Sequence, residues 1–187
     1  MKNIAILASG NGSNAQAIIE YFKNSSAIKV AIVVTNNPEA GVIKIAHQHK
    51  IISAIVSKNF WGNEESMNKL LNSLNIDLVV LAGFLQLVPA FVIQKFPKRI
   101  INIHPALLPK HGGKGMYGKK VHEAVLAAKE AETGITIHFV NEKYDEGEVI
   151  LQKKVPVDAA DTAGGISEKV QQLEHEWLPK TIEQLLK

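Results

Sequence analysis

Ile100-Ile101-Asn102-Ile103-His104-Pro105-Ala106-Leu107-Leu108-Pro109-Lys110 divides the chain into two regimes. Upstream, apolar runs alternate with helical patterns. The spacing predicts strands at Asn3–Ala8, Ile28–Thr35, Ile51–Ser57, Asp77–Ala82 and Ile100–Ile103. It predicts helices at Ser13–Lys23, Gly41–Lys50 and Asn63–Leu74, with a short one opened by Pro89. Nearly continuous apolar strands separated by helices indicate a parallel sheet covered on both faces. After His104 the rhythm changes. A glycine-rich loop, Gly112–Gly118, precedes a helix at Lys119–Lys129. The strand-like stretches Gly134–Val140 and Glu148–Gln152 then follow with no helix between them. That spacing reads as an antiparallel pair. The chain closes on an amphipathic helix, Gly165–Leu186, in which Pro179 predicts a kink or break. The expected fold is therefore α/β and Rossmann-like, with a mostly parallel central sheet, antiparallel C-terminal strands and helices on both faces. No linker, repeat or low-complexity tract interrupts it, so residues 1–187 are read as one domain.

The same stretch carries the candidate chemistry. Residues i and i+2 of a strand face one side, so Asn102 and His104 point together, and Pro105 ends the strand just beyond them. An amide and an imidazole at a buried strand end suit chemistry on a carbonyl. The plain alternative is two satisfied structural polar residues. A second polar cluster, Asn141-Glu142-Lys143-Tyr144-Asp145-Glu146-Gly147, connects the last two strands. Asp145 is thus expected to fold back over a neighbouring strand end.

Bulk properties exclude several classes. The chain has 187 residues, no cysteine and a formal net charge of +3. Disulfides, thiolate zinc sites and cysteine catalysis are excluded, which fits a cytoplasmic protein. No apolar run approaches the ~20 residues of a membrane span. Arg99 is the only arginine and the lysines are scattered, so a nucleic-acid groove is not expected.

Ala8-Ser9-Gly10-Asn11-Gly12-Ser13-Asn14 lies between the first strand and the first helix. Glycines allow close backbone approach, Ser13 and Asn14 are good N-caps, and free N–H groups at a helix start favour a phosphate. A plain capped turn would need only one or two of these residues. Gly10-x-Gly12-x-x-Ala15 loosely fits a dinucleotide fingerprint, but Thr35-Asn36-Asn37 stand where the ribose-binding acid belongs, which disfavours NAD. No Walker A pattern is present.

Four motifs taken in order bring a resemblance into view: Ser9-Gly10-Asn11-Gly12-Ser13-Asn14, Leu81-Ala82-Gly83-Phe84, Asn102-Ile103-His104-Pro105-Ala106-Leu107-Leu108-Pro109 and the Asp145 loop. From end to end the sequence resembles the phosphoribosylglycinamide formyltransferases, folate-dependent enzymes of purine synthesis. The resemblance implies that Asn102, His104 and Asp145 are catalytic. It implies that Gly12, Ser13 and Asn14 hold the phosphate of glycinamide ribonucleotide and that Glu174, on the last helix, contacts that substrate. It places folate against Phe84, Leu85, Gln86, Leu87, Val88 and Tyr144. Gln86 stands where many members carry arginine, the turn to Pro89 looks one residue short, and Gly112–Gly118 is longer and richer in glycine than in many relatives.

The implied reaction moves the formyl group of 10-formyltetrahydrofolate, a co-substrate, to the amine of glycinamide ribonucleotide. No tightly bound cofactor and no metal are expected. Asn102 and a charged His104 would stabilise the oxyanion, while Asp145 favours the charged imidazole and relays the amine proton. His47, His49, His111 and His122 read as surface or loop residues, and His138 as a core or supporting residue. The expected partners are small molecules, with no nucleic acid and no membrane, for a monomer or homodimer. Formyltetrahydrofolate hydrolase normally adds an N-terminal regulatory domain and methionyl-tRNA formyltransferase a C-terminal RNA-binding one, and neither is expected here. A non-catalytic nucleotide-binding protein is the alternative from another class.

Overall fold

The computed structural model describes residues 1–187. The elements are β1 (Lys2–Leu7), α1 (Ser13–Phe22), β2 (Ile28–Thr35), α2 (Val42–Gln48), β3 (Ile52–Ile55), α3 (Lys58–Trp61), α4 (Glu64–Ser73), β4 (Ile76–Leu81), α5 (Ala90–Lys95), β5 (Ile100–His104), α6 (Lys119–Ala127), β6 (Glu132–Phe139), β7 (Val149–Pro156) and α7 (Ala163–Leu186). Seven strands form one sheet in the order β3-β2-β1-β4-β5-β6-β7. β1 to β5 are parallel, whereas β6 runs antiparallel to β5, and β7 to β6.

Alternation along β1 shows how the two faces are covered. Ile4 and Ile6 join a core built with Ala15, Ile18 and Phe22 of α1, Val42 of α2, Val125 of α6 and Ile166, Val170, Leu178 and Ile182 of α7. Ala5 and Leu7 face a second core containing Trp61 of α3, Met67 and Leu71 of α4 and Val92 of α5. Successive strand side chains point to opposite faces, and both faces here are dry. Fully burying an Ile or Leu is worth roughly 1.5–3 kcal/mol, so the two cores hold the sheet rigid beneath the loops.

The chain leaves β1 for β2 on one side and returns at β4 on the other. β1 is therefore the point where strand order reverses, and the loops after β1 and β4 part above it. Open α/β sheets bind ligands in the crevice at such a point.

Three local expectations change. α7 runs unbroken through Pro179, whose buried ring lies between the core residues Leu178 and Ile182. Tertiary packing there outweighs the lost backbone donor. α3, four residues capped by the Ser57 side chain at Phe60 N, is too short for periodicity to reveal. β6 begins at Glu132 and β7 ends at Pro156, and these two residues pair, so the antiparallel ladder is longer at its open end than the apolar pattern indicated. No helix is long and apolar enough to cross a membrane.

Candidate active site

A cavity of about 550 Å3 opens at the carboxyl ends of β1, β4 and β5. It is lined by Gly10–Asn14, Leu81–Val88, Asn102, His104, Tyr144, Asp145 and Glu174, together with the Gly113–Gly118 loop. Every sequence-predicted site residue thus reaches the same cavity.

β5 ends with Asn102 and His104 on one side of the strand, and Asp145 descends on them from the β6–β7 connection. Asn102 Nδ2 donates to Asp145 Oδ1 at 3.3 Å, and His104 Nδ1 lies 3.5 Å from Asp145 Oδ2. Gly113 N also donates to Asp145 Oδ2, at 2.9 Å. Burial, the largest influence, pushes the Asp145 carboxyl up. The His138 and His104 rings, each whenever it is protonated, and the Gly113 N–H together outweigh it, so Asp145 is held below the usual carboxylate range.

His104 differs from expectation. Burial is the dominant influence and lowers its pKa. Asp145 and the His111 carbonyl push the other way without overcoming it. The resting imidazole is therefore neutral and not the charged ring the sequence suggested. A carbonyl can only accept, so the 2.8 Å contact to His111 O places the proton on Nε2 and leaves Nδ1 facing Asp145. The two histidines that flank the glycine-rich loop are enclosed. His111 is half-buried, with Nε2 3.2 Å from Glu130 Oε1. His122 is buried on α6, lines the cavity and has a lowered pKa, from burial first and His104 second.

The first loop presents an uncapped helix. Gly12 is the N-cap of α1, makes no side-chain cap and has φ 85°. Ser13 and Asn14 are not caps, as their composition had suggested, because their side chains are engaged by α7. Gln171 Nε2 donates to Ser13 Oγ at 3.1 Å, and Asn14 Nδ2 donates to Glu174 Oε2 at 3.0 Å. The first amides of α1 thus stay free toward the cavity, with no acidic residue in the first turn. Burial raises the Glu174 carboxyl to about 7, with the Asn14 contact opposing it. Gln171 was missed in the sequence. Its spacing of one helical turn from Glu174 was the available signal.

Across the crevice, the turn after β4 has a divided character. Phe84 and Val88 are buried in the second core, and Phe84 meets Trp61 edge to face at 5.0 Å. Their side chains support the turn from below. Leu85 and Leu87 are exposed, as is Tyr144 opposite, and give the crevice an apolar rim. Trp61 Nε1 donates to Leu87 O at 2.9 Å, while Ser9 Oγ accepts from Leu85 N at 3.0 Å. α3 and the first loop therefore fix the turn from both sides. The Gln86 side-chain oxygen is buried without a partner.

Beneath the site, Thr136 Oγ1 donates to Ala106 O at 2.7 Å and accepts from Leu108 N at 3.0 Å and Gln152 Nε2 at 2.9 Å. Gln152 Nε2 also reaches Leu108 O at 2.9 Å. These bonds hold the segment after His104 against the antiparallel strands.

An open α/β sheet with a free helix start, an apolar-rimmed turn and an Asn-His-Asp cluster around one cavity is an architecture for transfer chemistry on a phosphorylated substrate. The formyl transferase family model matches residues 2–182. Phosphoribosylglycinamide formyltransferase from Bacillus subtilis is 36% identical over 191 residues, covering 100% of this chain and 95% of that protein. The chloroplastic phosphoribosylglycinamide formyltransferase of Arabidopsis thaliana is 41% identical over 180 residues, covering 93% of this chain, which spans 62% of that relative's length. Among solved structures, phosphoribosylglycinamide formyltransferase from Bacillus halodurans superposes with a TM-score of 0.89 at 34% identity, covering 100% of this chain and 96% of that one. The chain belongs to the formyl transferase family and, within it, to the phosphoribosylglycinamide formyltransferases.

Proposed function

We propose that this protein transfers the formyl group of 10-formyltetrahydrofolate to the amine of glycinamide ribonucleotide. The products are N-formylglycinamide ribonucleotide and tetrahydrofolate, within purine biosynthesis. Residues 1–187 act as one formyltransferase domain. The observation that carries this reading is the convergence of Asn102, His104 and Asp145 on a cavity that also holds the free start of α1 and the apolar-rimmed turn after β4. The substrates are the two small molecules, in a cytoplasmic protein, and 10-formyltetrahydrofolate is a co-substrate and not a resident cofactor.

In this reading the amides of Gly12, Ser13 and Asn14 take the ribonucleotide phosphate. Glu174 takes its hydroxyls. The backbone of Leu85–Val88, with Tyr144 opposite, takes the folate. The amine nitrogen attacks the formyl carbon, so an N–C bond forms while the carbonyl electrons move to oxygen. The Asn102 N–H that rests on Asp145 Oδ1 turns to meet that oxyanion. The amine loses a proton through Asp145, directly or by water, and His104 Nδ1 receives it. The imidazolium needed to balance the oxyanion thus forms during the reaction, beside a carboxylate that stays ionised. Collapse of the intermediate breaks the C–N10 bond, and the stored proton passes to N10.

The test is to mix the protein with both substrates and follow free tetrahydrofolate. Release that requires the ribonucleotide supports the proposal. Release at the same rate without it indicates a hydrolase, and no release in either mixture rejects formyl transfer.

A further inference from the structure

His138 is 2% exposed and stands on β6 directly opposite Asn102 of β5. Its Nδ1 is 2.8 Å from Phe139 O, and that carbonyl can only accept. Nδ1 therefore carries a proton, and in the neutral ring Nε2 is a bare lone pair. Nε2 lies 3.1 Å from Asn102 Nδ2, so the amide must present its N–H end to the ring. The nearest carboxylate oxygen, Asp145 Oδ1, is 3.6 Å from Nε2, beyond hydrogen-bond reach, while the same oxygen accepts the other Asn102 N–H at 3.3 Å.

We infer that His138 is a positioning residue for formyl transfer: its Nδ1–H tautomer, fixed by Phe139 O, orients the Asn102 carboxamide with its donor end toward Asp145. An amide has two nearly isosteric ends, and a strand-end asparagine with weak partners can turn over. The bond to Asp145 is long, so the His138 lone pair is the stronger of the two constraints on that choice. The backbone supplies the fixed point. Phe139 O sets the ring tautomer, the ring sets the amide, and one Asn102 N–H remains on the Asp145 side of the site. The inference rests on the function proposed above, because the orientation matters only if that N–H meets a developing oxyanion.

The ring state can be read directly. Long-range nitrogen–proton NMR of histidine-labelled protein, recorded without substrates, should show His138 protonated at Nδ1 and bare at Nε2. An Nε2–H tautomer or a doubly protonated ring overturns the inference whatever the activity of the protein. In the formyl-transfer assay, His138→Leu should lower kcat by roughly tenfold or more with both KM values little changed. His138→Gln, whose Oε1 offers an acceptor at the same reach, should recover most of that loss. A His138→Gln enzyme as slow as His138→Leu, or a His138→Leu enzyme with wild-type kcat, overturns it. Should His138→Leu fail to fold, the wild-type spectrum and the His138→Gln variant still decide. Asn102→Ala combined with His138→Leu should be no slower than Asn102→Ala alone, since the ring acts only through the amide. A wild type that releases no tetrahydrofolate rejects the proposed function instead, and the spectrum then still reports which way Asn102 is held.

Discussion

Asp145 and Glu174 are two carboxyls in one cavity whose environments drive them apart. Asp145 is held below its ordinary value, so it stays ionised throughout mildly acidic conditions. An acid fall in kcat beginning just below neutrality therefore belongs to other groups, His104 or the substrate amine. Asp145→Asn should lower kcat by roughly 10²-fold or more. It should move the midpoint of that fall to lower pH if His104 titrates, because the carboxylate no longer raises the imidazole, and leave it in place if the substrate amine does. Loss of the acid fall altogether would assign the titration to Asp145. Asn tolerates the left-handed backbone found there, φ 57°, so thermal stability should be close to wild type. Glu174 behaves oppositely, because its folded value of about 7 exceeds its ordinary 4.5. Its contribution to stability is fully present below 4.5 and is lost as pH rises through about 7. Ionised Glu174 is the better acceptor for hydroxyls, so ribonucleotide KM should fall as pH rises through that range. Glu174→Gln should flatten both profiles. A Glu174→Gln variant that keeps the wild-type pH dependence of ribonucleotide KM and of melting temperature would remove Glu174 from this role.

At the scale of elements, the site depends on contacts that no local pattern announces. The Asn102–His104 pairing was legible because a strand has a period of two and Pro105 marks its end. The partners of the following segment were not legible. Thr136 and Gln152 are ordinary strand residues in sequence, and they become supports for Leu108 only once β6 and β7 lie beside β5. Trp61 is similar. A lone tryptophan in a four-residue helix carries no periodic signal, yet it fixes the Leu87 carbonyl. Charge state was equally hidden. Asp145 near His104 suggested an imidazolium, whereas burial of the ring, visible only in three dimensions, decides the direction. Thr136→Val tests the support directly. It keeps the shape but strips the buried Leu108 N–H of its acceptor, which should cost about 1–3 kcal/mol of stability in a denaturant titration. Stability within error of wild type would show that the segment is held by packing alone.

At the scale of the whole molecule, the strand order determines where substrates meet. β1 lies between β2 and β4, so the loop after β1 opens between α1 and the turn after β4, with the β5 end alongside. This arrangement was largely legible, since strands alternating with helices leave few ways to wind a parallel sheet. What the sequence hid was how closely the first loop is packed. Gly12→Val is unsuitable as a probe of phosphate binding, because a Cβ at Gly12 would sit 2.7 Å from Val42 Cβ in a φ 85° conformation. That substitution injures the core between α1 and α2 and cannot isolate a ligand effect. Gly10 makes the cleaner probe. A Cβ there meets nothing within 4 Å, its φ is not in the left-handed range, and the residue lines the cavity. Gly10→Ala should therefore leave the melting temperature near wild type while placing a methyl group where the phosphate approaches. Ribonucleotide KM should rise by roughly tenfold or more, equivalent to ~1.4 kcal/mol, with folate KM much less affected. An unchanged ribonucleotide KM would mean that the phosphate lies elsewhere. A rise shared equally by both substrates would mean that the loop shapes the whole cavity and not one subsite.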